Sequence, residues 1–429
     1  MIKVCLVSLG CVKNLVDSEA ILALFRNGEF LITNNPKESD VIIINTCGFI
    51  LDAKVEGIQT ILNMLQYKKK TIVIGCLVQR YYDELKKDIP EVDLWVKFAD
   101  EYKELPQKIG ELLNLDIKLP ELDFNKRVLS TNSYTAYLKI SEGCDNFCSF
   151  CSIPYIRGRF ISYPMNELVE YTKELVKQGV KEIVVIGQDP TSYGKDLKNG
   201  ETLVKLLKEL DKIDGLEFIR CLYLYPDGIS DELLDLYSSS KKFPHYFDIP
   251  IQHASDKILK KMNRKHNKQD VIDIYNKIKT KMPDAILRTT LIVGFPGETK
   301  KDFEELETFV KEYPFNHLGV FTYSKEEGTV ASKMTNQVSK KVKEERKDAI
   351  MSIQSDISYK MNKELIGNEY KGIIIGQDKD EYLVRCDYNS PDDIDGNVYL
   401  KTDKKHELGD TVSFTITHAF VYDLFALEK

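Results

Sequence analysis

The sequence predicts an α/β protein in three parts: a Rossmann-like parallel-sheet domain, then a partial (β/α)6 barrel, then a small antiparallel β-barrel. Three observations predict it. Apolar strand runs alternate with helical patterns through the first hundred or so residues, the signature of a parallel sheet covered by helices. A turn-rich link breaks that alternation, which then restarts with longer units. After Gly367 the texture changes to short alternating strands separated by turn residues. At 429 residues the chain also exceeds what one core comfortably serves.

In chain order, "IKVCLVSLG", "DVIIINT" and "KTIVIGC" are the first strands, each followed by a helical stretch. The link "KLPELDFNKRVLSTNS" ends this rhythm and puts a boundary near Asn132, with domains expected at residues 1–125 and 132–365. The second domain offers six strands, "AYLKIS", "KEIVVIG", "EFIRCLYLY", "YFDIPI", "AILRTTLIVG" and "HLGVFTY". Six units are too few to close an eightfold barrel, and they suit an open one with its site at the carboxyl ends of the strands. A charged helical run from Ser339 to Leu365 closes the domain, and its segment "KKVKEERK" reads as a solvated helix face. Residues 366–429 then supply the short strands of a small barrel.

Composition narrows the function classes. With 43% apolar and 30% charged residues the chain reads as an ordinary folded protein. Its start, "MIKVCLVSLG", lacks a secretory pattern, and no segment reaches the roughly 18 apolar residues needed to span a bilayer. A cytoplasmic protein without membrane attachment is therefore expected. Thiols stay reduced there, so the nine cysteines read as ligands, catalysts or core residues rather than disulfides. From Gly367 to Lys429, 13 acidic and 7 basic residues carry −6 of the net −7 charge. A domain gripping tRNA needs a basic face, so this tail suits a strongly basic protein partner and tRNA is not expected. "KKMNRKHNK" is a candidate basic patch and reads more readily as a solvated helix end.

The stretch "SEGCDNFCSFCSIPYIRGR" places Cys144, Cys148 and Cys151 directly after the first strand of the second domain. CxxxCxxC has the wrong spacing for a zinc knuckle and no second pair to complete four ligands. Soft thiolates at this density favour iron–sulfur chemistry. Three of them leave one iron of a cubane cluster open to a substrate or cosubstrate, a position that a simple electron carrier closes. A second set is dispersed. Cys11, Cys47 and Cys76 are separated by 35 and 28 residues, yet each follows a predicted strand: "VSLGC", "IINTC", "VIGC". The carboxyl ends of adjacent parallel strands share one crevice, so a second three-cysteine cluster is expected there, its open iron a place to hold a sulfur. Cys5, Cys221 and Cys386 lie within apolar strands and read as core thiols.

The CxxxCxxC pattern, with the aromatic Phe150 before its last cysteine, resembles the radical S-adenosylmethionine superfamily. Together with "SLGCVKNLVDSE", "NTCGFI", "GC" and the terminal small barrel, it is similar to the methylthiotransferases over essentially the whole chain. That resemblance implies an amino-terminal methylthiotransferase domain, a radical S-adenosylmethionine domain and, at 366–429, a TRAM domain. It implies two 4Fe-4S clusters and S-adenosylmethionine as cofactors, and insertion of a methylthio group at an unactivated C–H bond. It also implies cofactor contacts for Phe150, for Gln188 in "VIGQDP", and for Arg288 and Gly294 in "AILRTTLIVG". No catalytic acid or base is expected, because positioning dominates. "GQDPTSYG", "CLYLYPDGI", "FDIPIQHAS" and "VRCDYNSPDDIDGNVYL" are similar to the branch that modifies the β carbon of an aspartate in the small-subunit ribosomal protein numbered twelve, rather than an adenosine in tRNA. The implied partners are that basic ribosomal protein, an external electron donor and a sulfur source.

Overall fold

In the computed structural model, which describes every residue except 27, 98–100, 116, 117 and 393, the first part is a five-stranded sheet. Its strands are β1 (Ile2–Ser8), β2 (Phe30–Ile32), β3 (Val41–Thr46), β4 (Lys70–Gly75) and β5 (Leu94–Val96), all parallel, in the order β2-β1-β3-β4-β5. β2 and β5 are three residues each, too short to show a period, which is why the sequence did not reveal them. All six residues of β3 are buried, the mark of a strand covered on both faces. Helices α1 (Val12–Ala23), α2 (Leu51–Leu65) and α3 (Cys76–Asp88) follow β1, β3 and β4. The chain leaves β1 for β2 on one side while β3 lies on the other, so the carboxyl ends of β1 and β3 flank a topological switch point.

All six strands expected of the second part are present: β6 (Thr135–Lys139), β7 (Glu182–Ile186), β8 (Phe218–Cys221), β9 (Tyr246–Asp248), β10 (Ile286–Val293) and β11 (His317–Thr322). They form two parallel arcs, β6-β7-β8 and β9-β10-β11. The arcs meet where the Leu224 N–H donates to the Asp248 carbonyl at 2.9 Å. Strand alternation sorts their side chains. Ala136, Leu138, Ile183, Val185, Ile219 and Leu287 join one core with the covering helices. The alternate residues Tyr137, Val184, Ile186, Leu222, Tyr246 and Ile286 pack instead with Val16 of α1 and with the terminal barrel. The open barrel is thus completed by the two parts beside it.

The terminal strands β12 (Glu369–Asp378), β13 (Glu381–Arg385), β14 (Val398–Lys401), β15 (Thr411–Ala419) and β16 (Leu424–Glu428) close into a barrel in the order β12-β13-β14-β16-β15. Every pairing is antiparallel except β14–β16. A closed ring of five strands cannot alternate direction throughout, so one parallel seam is obligatory. Helix α4 (Lys340–Glu364), capped by Ser339, leads into this barrel. Its "KKVKEERK" face is only partly solvated, because Arg346 reaches Glu298 at 3.0 Å and Lys343 donates to the Tyr323 carbonyl at 2.6 Å. Within "KKMNRKHNK", Arg264 and His266 are buried, which breaks any continuous basic patch.

Glu182, at the start of β7, ties the terminal barrel down. It is buried, pairs with Arg220 at 2.7 Å and with Arg385 of β13 at 2.6 Å, and accepts from the Thr135 hydroxyl at 2.9 Å. Burial alone would raise its pKa, but the two guanidiniums win and hold the carboxyl below its usual range. The stability it contributes is therefore fully present above the ordinary glutamate pKa of about 4.3 and is lost as pH falls through the depressed folded value. Glu182→Gln is expected to lower the urea midpoint at neutral pH and to flatten its decline in acid. Parallel pH profiles for variant and wild type would contradict this assignment.

Candidate functional site

Cys11, Cys47 and Cys76 follow β1, β3 and β4, three adjacent strands whose carboxyl ends border the switch point. Close approach of the loops requires glycine. Gly10 has φ +91°, and a Cβ there would stand 2.6 Å from Cys47 Cβ and 3.1 Å from Cys47 Sγ. A Cβ on Gly48 would stand 2.8 Å from the Leu77 nitrogen, one residue past Cys76. The Cys76 thiol lies 3.7 Å from Asn14 Oδ1, in the first turn of α1. Cys76 is buried, Cys47 half-buried and Cys11 exposed, so the group opens to solvent at Cys11.

The CxxxCxxC loop follows β6. Cys144 and Cys148 are buried and Cys151 is half-buried. The Cys151 N–H donates to the Cys148 carbonyl at 2.9 Å, and Arg264 Nη1 approaches Cys148 Sγ at 3.6 Å. Phe150 packs against a small core of Ile258, Met262, Phe295, Tyr323 and Ala331, which anchors the loop from below.

The donor chemistry of both sets fits iron–sulfur clusters. Burial pushes the Cys144 thiol up to about 11 and the Cys76 thiol up to about 12, and raises Cys47 and Cys151 as well. Thiols so placed stay protonated until a cation displaces the proton. Cys11 and Cys47 lie within electrostatic reach of Cys76, as Cys148 and Cys144 do of Cys151. Among the described residues no three donors are drawn close enough to grip a single ion. A cubane asks for wider spacing, because each thiolate binds a different iron.

Arg157, six residues past Cys151, joins the two sets. Its Nη2 donates to Asn14 Oδ1 and to Asp17 at 3.0 Å, and its Nη1 to both Glu142 oxygens at 3.1 Å. Lys139 completes the network with Asp17 and, at 2.9 Å, Glu142. Helix α1, which begins beside Cys11, is thereby clamped to the loop carrying Cys144, Cys148 and Cys151.

Of the cofactor-contact residues implied by resemblance, Gln188 donates to Glu142 at 3.0 Å, while its Oε1 is buried without a hydrogen-bond partner among the described residues. Ser141 Oγ and Arg264 Nε are buried in the same condition. Orphaned polar atoms beside the cysteine loop suit a polar ligand. Gly294 has φ +72° at the end of β10, where a Cβ would stand 2.3 Å from Lys343 Cγ. The structure places Arg288 against protein carboxylates, Asp248 at 3.1 Å and Asp395 of the terminal barrel at 3.3 Å. Cys5, Cys221 and Cys386 are buried in the core, as expected. Sequence reasoning missed Arg157, Asn14 and Arg264. The Gly–Cys pairs at Cys11, Cys76 and Cys144, each with a positive-φ glycine, were a visible signal of tight turns delivering thiols.

Three family models match the chain: Uncharacterized protein family UPF0004 over residues 3–97, the Radical SAM superfamily over 138–310, and a TRAM domain over 366–427. Curated relatives bear the name ribosomal protein uS12 methylthiotransferase RimO. That of Alkaliphilus oremlandii is 47% identical over 98% of this chain and 97% of its own length. That of Clostridium tetani is 44% identical over 99% and 98%, and that of Aquifex aeolicus 45% over 98% and 96%. Among solved structures, the radical S-adenosylmethionine methyltransferase TsrM from Kitasatospora setae aligns with a TM-score of 0.56 and 13% identity, over 75% of each chain. The cobalamin-dependent radical enzyme OxsB aligns at 0.51 and 13%, over 82% of this chain and 56% of that one. At such identities the two structures speak for the fold alone.

Proposed function

The chain belongs to the ribosomal protein uS12 methylthiotransferases, and from that premise we propose how its residues share the work. The protein is a radical S-adenosylmethionine enzyme that transfers a methylthio group to the β carbon of an aspartate in uS12. Its superfamily implies a 4Fe-4S cluster and S-adenosylmethionine. We assign that cluster to Cys144, Cys148 and Cys151, and a second cluster to Cys11, Cys47 and Cys76. When bound, the first supplies the electron that splits S-adenosylmethionine to a carbon radical, and the second holds the sulfur to be delivered.

The chain's own residues hold and orient. Arg264 brings a positive charge to within 3.6 Å of the Cys148 sulfur and holds that side of the loop in place. Arg157 fixes the cysteine loop against α1, so the two cysteine sets keep one spacing. The orphaned Gln188 and Ser141 oxygens offer hydrogen bonds to a polar cosubstrate. Exposure of Cys11 leaves a path for a protein substrate. The convergence of three dispersed cysteines on the switch point, clamped to the CxxxCxxC loop through Arg157, is the observation that carries this reading. Cleavage of one S-adenosylmethionine requires an electron, and building the methylthio group requires a sulfur atom and the methyl of a second S-adenosylmethionine, so an external electron donor and a sulfur source belong to the proposal.

Charge offers narrower support than the sequence suggested. Asp387, Asp392 and Asp395 of the acidic tail turn inward: Asp387 accepts from the His245 N–H at 3.2 Å, Asp392 from the Tyr137 hydroxyl at 2.7 Å, and Asp395 from the Tyr246 hydroxyl at 2.7 Å. The barrel surface is accordingly milder than its formal charge. Among the described residues, no helix is long and apolar enough to cross a membrane.

The test is to incubate the iron-reconstituted protein with S-adenosylmethionine, sulfide and a reductant, offering uS12 or tRNA, and to weigh the products. A gain of one SCH2 unit on the uS12 aspartate is expected. A gain on tRNA and never on uS12 would overturn the assignment.

A further inference from the structure

At the meeting point of the three parts, the Lys13 ammonium has an aromatic ring beneath it and, among the described residues, no ion-pair partner. Lys13 lies in the first turn of α1, two residues after Cys11, and is half-buried. Its Nζ stands 3.5 Å above the centroid of the Tyr223 ring. Among the described residues no hydrogen-bond acceptor is in range of that ammonium, and no carboxylate within 4 Å forms an ion pair with it. The titratable groups facing it come from all three parts: the Cys11 thiol, Asp392 of the terminal barrel, Asp248 at the end of β9, and the Arg157 guanidinium. Both carboxylates are committed elsewhere. Asp392 accepts from the Tyr137 hydroxyl at 2.7 Å and the Tyr223 hydroxyl at 3.0 Å. Asp248 accepts from the Tyr223 N–H at 3.0 Å and pairs with Arg288 at 3.1 Å.

The platform beneath Lys13 is itself built under strain. Tyr223 has φ +64°, a conformation rare for a bulky residue. Such a conformation persists only where the surroundings over-determine it, and it clusters at binding sites. Here Asp248 fixes the backbone and Asp392 fixes the hydroxyl, so three parts of the protein cooperate to hold one ring flat under one ammonium. A cation–π contact orients that ammonium without using its N–H donors. The donors stay available for a carboxylate, which a charge-assisted hydrogen bond would hold well in this partly desolvated corner.

We infer that the Lys13 ammonium, seated on Tyr223 beside Cys11, is the binding site for the carboxylate of the aspartate that receives the methylthio group. The inference rests on the functional reading above and adds to it a residue that selects the acceptor. A carboxylate held here would lie beside Cys11, one of the three cysteines assigned to the second cluster. Lys13 is a positioning residue in the transfer, with no proton to move.

The test measures binding of two peptides to the iron-reconstituted full chain by fluorescence anisotropy. One peptide carries the uS12 segment with its target aspartate, the other the same segment with asparagine. Wild type is expected to prefer the aspartate peptide. Lys13→Met is expected to weaken that peptide by about 10- to 100-fold while leaving the asparagine peptide nearly unchanged, and Lys13→Arg is expected to restore the preference. Iron content and absorbance of each variant confirm that it is folded and loaded. Equal losses for both peptides, or a preference that survives in Lys13→Met, would overturn the site while leaving the functional reading intact. A wild-type protein that neither binds nor modifies the aspartate peptide would overturn both.

Discussion

Cys148→Ala is expected to abolish cleavage of S-adenosylmethionine, whereas Cys47→Ala is expected to retain cleavage and lose transfer of the methylthio group. The division follows from where the thiols lie. Cys148 is buried in the loop after β6, beside Arg264. Cys47 lies at the end of β3 in a different sheet, packed against Gly10. With three thiolates per cluster there is no spare ligand, so one substitution suffices to empty or cripple a set. Quantifying deoxyadenosine by chromatography and the uS12 product by mass separates the two activities. Undiminished cleavage in Cys148→Ala would refute the assignment of the first set.

The second large effect is on stability. Arg157→Met is expected to lower stability by about 3–5 kcal/mol, the usual cost of stripping one partner from a buried ionic network. The guanidinium and the Asp17 carboxylate are 1% and 0% exposed, so solvent cannot replace what is lost. Asp17 keeps Lys139, but Glu142 and Asn14 lose donors. Arg157→Lys is expected to recover only part of the loss, because an ammonium cannot fork between Glu142 on one side and Asn14 with Asp17 on the other. Urea titration under anaerobic conditions, with iron content followed in parallel, reads the shift. An unchanged midpoint would mean that the clamp between α1 and the cysteine loop is dispensable.

Much of this architecture is legible in the sequence. The strands β3, β4 and β7 carry apolar runs buried on both faces, and such runs stand out from any helical pattern. The six cysteines could be sorted because three share a short motif and three share a position, the residue after a parallel strand. The short edge strands β2 and β5 escaped because three residues carry no period. The parallel seam of the terminal barrel escaped because it is a property of ring closure, which no local stretch encodes. The inward turn of Asp387, Asp392 and Asp395 escaped because charge counting does not know which face a loop presents, and it weakened the electrostatic case built on the tail. Arg157 lies within the cysteine stretch, where nothing local marks it. Its partners Asn14 and Asp17 lie 143 and 140 residues away, and only folding brings them to it. Arg288 sits at the seam with the terminal barrel for the same reason: its partner Asp395 is 107 residues distant.

Whether two separate clusters exist is settled most directly by counting iron in two triple variants. With Cys11, Cys47 and Cys76 all replaced by alanine, about half of the wild-type iron should remain. The paramagnetic signal of the reduced protein should still change when S-adenosylmethionine is added. With Cys144, Cys148 and Cys151 replaced, about half of the iron should again remain, and that response should vanish. Wild-type iron in either variant, or a response to S-adenosylmethionine that survives loss of the CxxxCxxC set, would contradict the assignment of the six cysteines.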